Sequence, residues 1–170
     1  MRGRAAHPEA RHRKRCLGAR AEVCIALRRI AEGGLVRGTE GNASARAGDL
    51  IAISPSGLDY ETLRPEDVCL VTPDGELVEG PTPSVELPMH LAVLAARPDV
   101  GAIVHTHSPR ATTRPPVPVA VGISGTTELG AAVLEAAAGG NAVVIRDHGP
   151  VCFGANLAEA VARAFAVERC

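Results

Sequence analysis

His105-Thr-His107 closes the apolar run Gly101-Ala-Ile-Val104, and this is the stretch of the chain best suited to chemistry. Alternate side chains of an extended strand leave the same face, so His105 and His107 are expected to aim two imidazoles at one point. A third comes from His148, which follows a second apolar run, Ala142-Val-Val-Ile145, and precedes Gly149. Three imidazoles from strand ends can hold a zinc ion and leave a fourth position open, the pattern of catalytic rather than structural zinc. Taken singly, each histidine is more often a hydrogen-bonded structural residue. The chemistry rests on the three together.

The elements that must position them can be read from the pattern. Apolar residues Val23, Leu27, Ile30 and Ala31 recur at helical spacing between Ala19 and Glu32, and Gly33-Gly34 stop that helix. Gly38-Thr-Glu-Gly-Asn-Ala-Ser44 reads as a turn-rich loop with backbone and hydroxyl donors suited to an anion, ahead of a strand from Asp49 to Ser54. Pro73-Asp74-Gly75 turns a strand at Val68–Thr72 into a second at Glu76–Glu79, a hairpin. Ser84 is expected to cap a helix with Leu87, Leu91 and Leu94 on one face, ending before Pro98. That places Glu86 in the first turn, where a carboxylate suits the helix dipole, and His90 one turn later.

Further along, Ser108 to Pro118 reads as irregular and Val117–Val121 as a short strand. Thr126 or Thr127 caps a helix from Glu128 to about Ala138. A short strand at Val151–Phe153 precedes a last helix opened by Asn156 and Glu159 as a capping box. Helices interleaved with strands, one pair of them a hairpin, imply an α/β fold with a mixed sheet covered by helices.

Composition narrows the function classes. A chain of 170 residues with 46% hydrophobic content can bury one core, and that core must be aliphatic, since the chain has no Trp, one Tyr and two Phe. No apolar stretch is long enough to span a bilayer. The five cysteines are odd in number and lack C-x-x-C spacing, which suits a reduced, cytoplasmic setting. Residues 1–20 carry seven basic groups against the single acid Glu9, so residues 1–18 are expected to form a basic, poorly ordered leader. The body that follows is acidic and poor in aromatic residues, which argues against nucleic-acid binding. The only lysine is Lys14 in that leader, which excludes a Schiff-base mechanism in the body and a P-loop.

In order, Gly38-Thr-Glu-Gly-Asn-Ala-Ser44, Ser54-Pro-Ser-Gly57, Pro83-Ser-Val-Glu86 with Leu87-Pro-Met-His90, His105-Thr-His107, Gly125-Thr-Thr-Glu-Leu129 and Asp147-His-Gly149 resemble the class II aldolase/adducin family. The resemblance covers residues 19–170. It implies a three-layer α/β/α domain with a largely antiparallel mixed sheet. It also implies a zinc-dependent, or other divalent-metal-dependent, enzyme that makes or breaks a C–C bond in a phosphorylated ketose through a metal-stabilised enediolate. By the same resemblance His105, His107 and His148 match the metal ligands and Glu86 the acid/base carboxylate. Thr39, Gly41, Asn42, Ser56, Gly57 and Ser84 match the positions that hold substrate phosphate, and a cytoplasmic homotetramer is implied.

Three departures stand out. Val85 replaces a second serine of the phosphate pocket, Ser108–Ser124 is shorter than the family norm, and the chain reaches Cys170 without the family's closing segment. They raise the expectation of an impaired enzyme. Alternatives within the family are epimerase, dehydratase and decarboxylase activities on sugar phosphates. A non-catalytic adducin-like scaffold is the alternative outside catalysis.

Overall fold

The computed structural model describes residues 8–170, with side chains from Cys16 onward. Helix α1 (Pro8–Glu32) leads into strands β1 (Asn42–Ala47) and β2 (Leu50–Ile53), and β3 (Cys69–Val71) and β4 (Leu77–Glu79) form the expected hairpin. Helix α2 (Leu87–Ala96), strand β5 (Ala102–His105), a short helix α3 (Pro109–Thr113) and strand β6 (Val119–Ala120) follow. Helix α4 (Thr127–Ala137), strands β7 (Ala142–Ile145) and β8 (Gly149–Gly154) and helix α5 (Leu157–Arg169) complete the chain. Among the described residues the strands make one eight-stranded sheet in the order β4-β3-β2-β1-β5-β8-β7-β6. Only β6 and β7 pair in parallel; the other neighbours are antiparallel.

Strand alternation divides the core between two faces. Ala43, Ala45, Ala52, Leu70, Ala102, Val104 and Cys152 pack against α1, α3 and α5. Their strand neighbours Ile51, Ile53, Val71, Ile103, Val143, Ile145, Val151 and Phe153 pack against α2 and α4. Small residues line much of the first face and large aliphatic ones the second, so each face keeps the period of two that a sheet covered on both sides allows. The result is the expected α/β/α sandwich. Among the described residues no helix is long and apolar enough to cross a membrane.

Several sequence expectations are corrected. Helix α1 begins at Pro8, eleven residues ahead of the expected start at Ala19, so most of the basic leader is helical. Arg, Lys, Ala and Glu are good helix formers and proline suits the first helical position, so the charge run is compatible with a helix. Arg20, counted with the leader, is buried and its Nη1 lies 2.7 Å from Glu79 Oε1 on β4. The first seven residues of the leader lie outside the described residues.

The turn-rich stretch ends sooner than expected: Asn42 already opens β1, which pairs with both β2 and β5. Ser84 is not the cap of α2; that position is Glu86, and the helix starts at Leu87 with Pro88 in its first turn. The buried face of α2 is Met89, His90, Val93 and Leu94, with Leu87 and Leu91 half-buried beside it. The stretch expected to be irregular contains α3, whose Arg110 and Ala111 amides donate to the Glu168 carboxylate at 3.1 and 2.8 Å. The caps of α4 and α5 are as expected, with Thr126 accepting from Leu129 N and Asn156 from Glu159 N.

Two features fix the elements that carry the histidines and Glu86. Arg46 of β1 reaches the C-terminal end of α2, where Nη2 donates to Leu94 O at 2.6 Å and Nε to Val100 O at 2.9 Å. Helix-end carbonyls lack intrahelical partners, so this guanidinium anchors α2 along its axis. At the β7–β8 turn, Gly149 has φ +156°, and a Cβ there would collide with the Thr106 carbonyl carbon and oxygen beside His105. Arg46→Ala is expected to cost about 1–3 kcal/mol in denaturant unfolding, the range for hydrogen bonds to a charged group. Gly149→Ala is expected to destabilise by at least about 2 kcal/mol, because the added methyl meets backbone with no room to yield. Unfolding that matches the unmodified protein would contradict either assignment.

Candidate metal and acid/base site

Each of the three histidines is delivered by a different local device. His105 is the last residue of β5, His107 follows two residues later, and His148 sits in the turn between β7 and β8. Long-range backbone bonds seat them: Thr106 N donates to Pro150 O at 3.0 Å and His107 N to Leu35 O at 3.1 Å. Gly41, with φ +71°, lets the preceding loop press on this end of β5, since a Cβ there would lie 2.6 Å from His105 O. Asp147 is also in the left-handed region, at φ +56°, which sharpens the turn that presents His148.

The rings converge through the same atom. His107 Nε2 lies 3.1 Å from His105 Nε2 and 2.9 Å from His148 Nε2, with ring centroids 4.9 and 4.5 Å apart for those pairs. A tetrahedral zinc with Zn–N bonds of ~2.0–2.1 Å separates its nitrogens by roughly 3.3 Å, so a shift of a few tenths of an ångström suffices. His105 Nδ1 lies 3.0 Å from the Pro150 carbonyl, which can only accept, so Nδ1 carries the hydrogen and Nε2 offers its lone pair. Burial lowers the pKa of His105 and His107 below the usual imidazole range, which favours the neutral rings that ligate metals. The donor set therefore suits a divalent ion.

Glu86 completes the cluster. Its carboxylate is buried, with Oε2 3.2 Å from His105 Nε2 and Oε1 3.8 Å from His148 Nε2. Asn42 Nδ2 donates to Oε2 at 2.7 Å and Ser124 Oγ to Oε1 at 2.6 Å. Burial opposes the charge, but the two donors, Ser124 and Asn42, favour it and hold the carboxyl below its usual range. Glu86 is thus an ionised acceptor with one donor on each oxygen.

The residues expected to hold phosphate line the same small cavity of about 160 Å³ as Glu86, His107 and His148. Thr39, Gly41 and Asn42 come from the approach to β1 and its first residue, and Ser56 and Gly57 from the turn after β2. Ser84 comes from the approach to α2. Two backbone bonds zip the last two loops together, Ser56 N to Thr82 O at 2.9 Å and Ser84 N to Ser54 O at 3.0 Å. The structure brings all six together, but the Asn42 amide is already engaged by Glu86 and by His90, whose Nε2 lies 2.6 Å from Asn42 Oδ1.

Three participants escape the sequence reading. Ser124 lies 38 positions from Glu86, in the loop before α4, and nothing local marks it. Glu40, whose Oε2 is 3.8 Å from His107 Nδ1, sits inside a recognised motif but not at a position singled out. Asn42 was assigned to phosphate, with no sign of its bonds to Glu86 and His90. Tyr60, the chain's one tyrosine, does not face the reacting groups: its hydroxyl donates to Gly41 O at 2.6 Å, and burial raises its pKa above the usual range.

The sequence and the fold match those of known proteins. The family described as Class II Aldolase and Adducin N-terminal domain matches residues 21–115 and 113–170. The chain is 37% identical to 5-methylthioribulose-1-phosphate/5-deoxyribulose-1-phosphate aldolase of Rhodospirillum rubrum, over 84% of this chain and 74% of that protein. It is 36% identical to 5-deoxy-D-ribulose 1-phosphate aldolase of Bacillus thuringiensis serovar kurstaki, over 89% of this chain and 81% of that one. An L-fuculose 1-phosphate aldolase structure superposes with a TM-score of 0.84 at 32% identity, covering 90% of this chain and 82% of its own. With this fold, these motifs in order and these relatives, the chain belongs to the class II aldolase/adducin family.

Proposed function

We propose that this chain is a zinc-dependent aldolase that cleaves or forms a C–C bond in a phosphorylated ketose. The observation that carries the proposal is the convergence of three Nε2 atoms on one point, beside a buried ionised carboxylate and at the edge of a cavity lined by small polar groups. His105, His107 and His148 would hold the ion, which when bound supplies Lewis-acid stabilisation of negative charge developing on substrate oxygens. The absence of any lysine after Lys14 agrees with this, because imine chemistry has no residue in the body to use.

The protein's own groups then have distinct tasks. Thr39, Gly41, Ser56, Gly57 and Ser84 orient the substrate through its phosphate, and Asn42 adds the second Nδ2 hydrogen that Glu86 leaves unused. Glu86 takes the proton from the carbon next to the ketose carbonyl in the condensing direction and returns it there in cleavage. Its two donors keep it ionised and aimed towards the histidines between turnovers. The names of the relatives favour a ketose 1-phosphate as substrate, with 5-deoxyribulose 1-phosphate the first to try. A homotetramer in the cytoplasm belongs to the same reading.

The test pairs metal analysis with a retro-aldol assay on 5-deoxyribulose 1-phosphate and fuculose 1-phosphate, following release of dihydroxyacetone phosphate. Purified protein is expected to carry about one zinc per chain and to cleave one of the two, and His148→Ala to lose most of the metal. Glu86→Gln is expected to keep the metal while kcat falls by about 10²- to 10⁴-fold, the usual worth of a general acid–base group. Full turnover by Glu86→Gln would remove that role. Protein without stoichiometric metal would favour the scaffold alternative, and loaded protein that converts neither substrate would favour the other sugar-phosphate activities.

A further inference from the structure

His90 is a fully buried titratable group that the chemistry above does not use. It lies on α2, one turn after Glu86, and faces Asn42 and Ser44, which leave β1 on the same face two positions apart. The four side chains form a closed chain of short bonds. Ser44 Oγ is 2.7 Å from His90 Nδ1, His90 Nε2 is 2.6 Å from Asn42 Oδ1, and Asn42 Nδ2 is 2.7 Å from Glu86 Oε2.

Only one hydrogen arrangement satisfies that chain with a neutral ring. The amide turns Nδ2 towards the Glu86 carboxylate and Oδ1 towards His90. Oδ1 can only accept, so His90 Nε2 must carry the ring hydrogen. Nδ1 is then a lone pair and takes the Ser44 hydroxyl hydrogen. Burial lowers the His90 pKa to about 4, in keeping with a neutral ring. Without this ring Oδ1 has no donor, and the amide is held at one end only, by the carboxylate it serves.

We propose that His90 is a positioning residue for the acid/base carboxylate: held as the Nε2–H tautomer by Ser44, it fixes the Asn42 amide so that Nδ2 stays on Glu86. The catalytic part of this inference rests on the role given to Glu86 under Proposed function. The hydrogen-bond part does not.

The experiment uses the full, metal-loaded chain with ¹⁵N-labelled histidine and asparagine. His90 is expected to be the Nε2–H tautomer and to remain so between about pH 6 and 8, where an ordinary imidazole titrates. One Asn42 Nδ2 proton is expected downfield, as for an amide donating to a carboxylate. Two variants separate positioning from filling of space. His90→Gln keeps an amide donor near the Nε2 position, whereas His90→Leu keeps the bulk without a donor.

With zinc content and KM unchanged, kcat is expected to fall about 10- to 100-fold in the leucine variant, the usual cost of losing an outer-shell partner. The downfield Asn42 signal should vanish there, and both should largely return in the glutamine variant. An Nδ1–H or charged His90, a leucine variant with full kcat, or a glutamine variant no better than leucine would overturn the proposal. Should the leucine variant fail to fold, the tautomer and the Asn42 signal of the unmodified chain decide the hydrogen-bond part. Should the unmodified chain show no turnover, those same two signals still decide that part, while the reading of Glu86 falls separately.

Discussion

The site depends on how closely two stretches of backbone can approach. Three rings converge on one point only if the β7–β8 turn closes against the end of β5, and it does so where Gly149 rests on the carbonyl of Thr106. On the other side Gly41 rests on the carbonyl of His105 in the same way. A side chain in either place would push the histidine strand away from its neighbours. The sheet order puts β5 between β1 and β8, so both contacts fall on the strand that carries His105. The convergence of the three rings is therefore a property of backbone packing before it is a property of the imidazoles.

The second constraint is the burial of Glu86. A carboxylate out of water is costly unless its oxygens are paired. Here each oxygen has a donor, from Asn42 on β1 and from Ser124 before α4, so the strand and the loop on either side of α2 meet at this charge. Arg46 holds the far end of α2 to the same strand that supplies Asn42. The position of the carboxylate is thus set at both ends of its helix, and its charge stays close to the histidines without replacing one of them.

Much of this was legible in the sequence, for reasons that differ from residue to residue. His105 and His107 were visible because an apolar run ending in His-x-His projects both rings one way, and Asn156 and Thr126 because capping is local. His148 was visible at the end of a second apolar run, and the ordered motifs led to the family and hence to the roles given to Glu86 and the loops of the cavity. Strand β1 was hidden because Asn-Ala-Ser-Ala-Arg-Ala has little intrinsic strand preference and pairs only through its neighbours on both sides. The start of α1 was hidden because a run of arginines fits a helix as well as a solvated tail. The partners of His90 were hidden because the pull of Asn42 and Ser44 on it is tertiary. Ser124 could not be found from sequence at all, since its partner is remote and its own surroundings are those of a plain turn.

The family shows that one scaffold supports more than one reaction on sugar phosphates, so the account of this chain stands or falls on the ion and its ligands before the substrate. X-ray absorption at the zinc edge of the loaded protein tests it most directly. Three imidazole nitrogens at about 2.0–2.1 Å, with the remaining position filled by oxygen, is the result expected. A shell containing sulfur, or one with fewer than three nitrogens, would contradict the claim that His105, His107 and His148 share one metal ion.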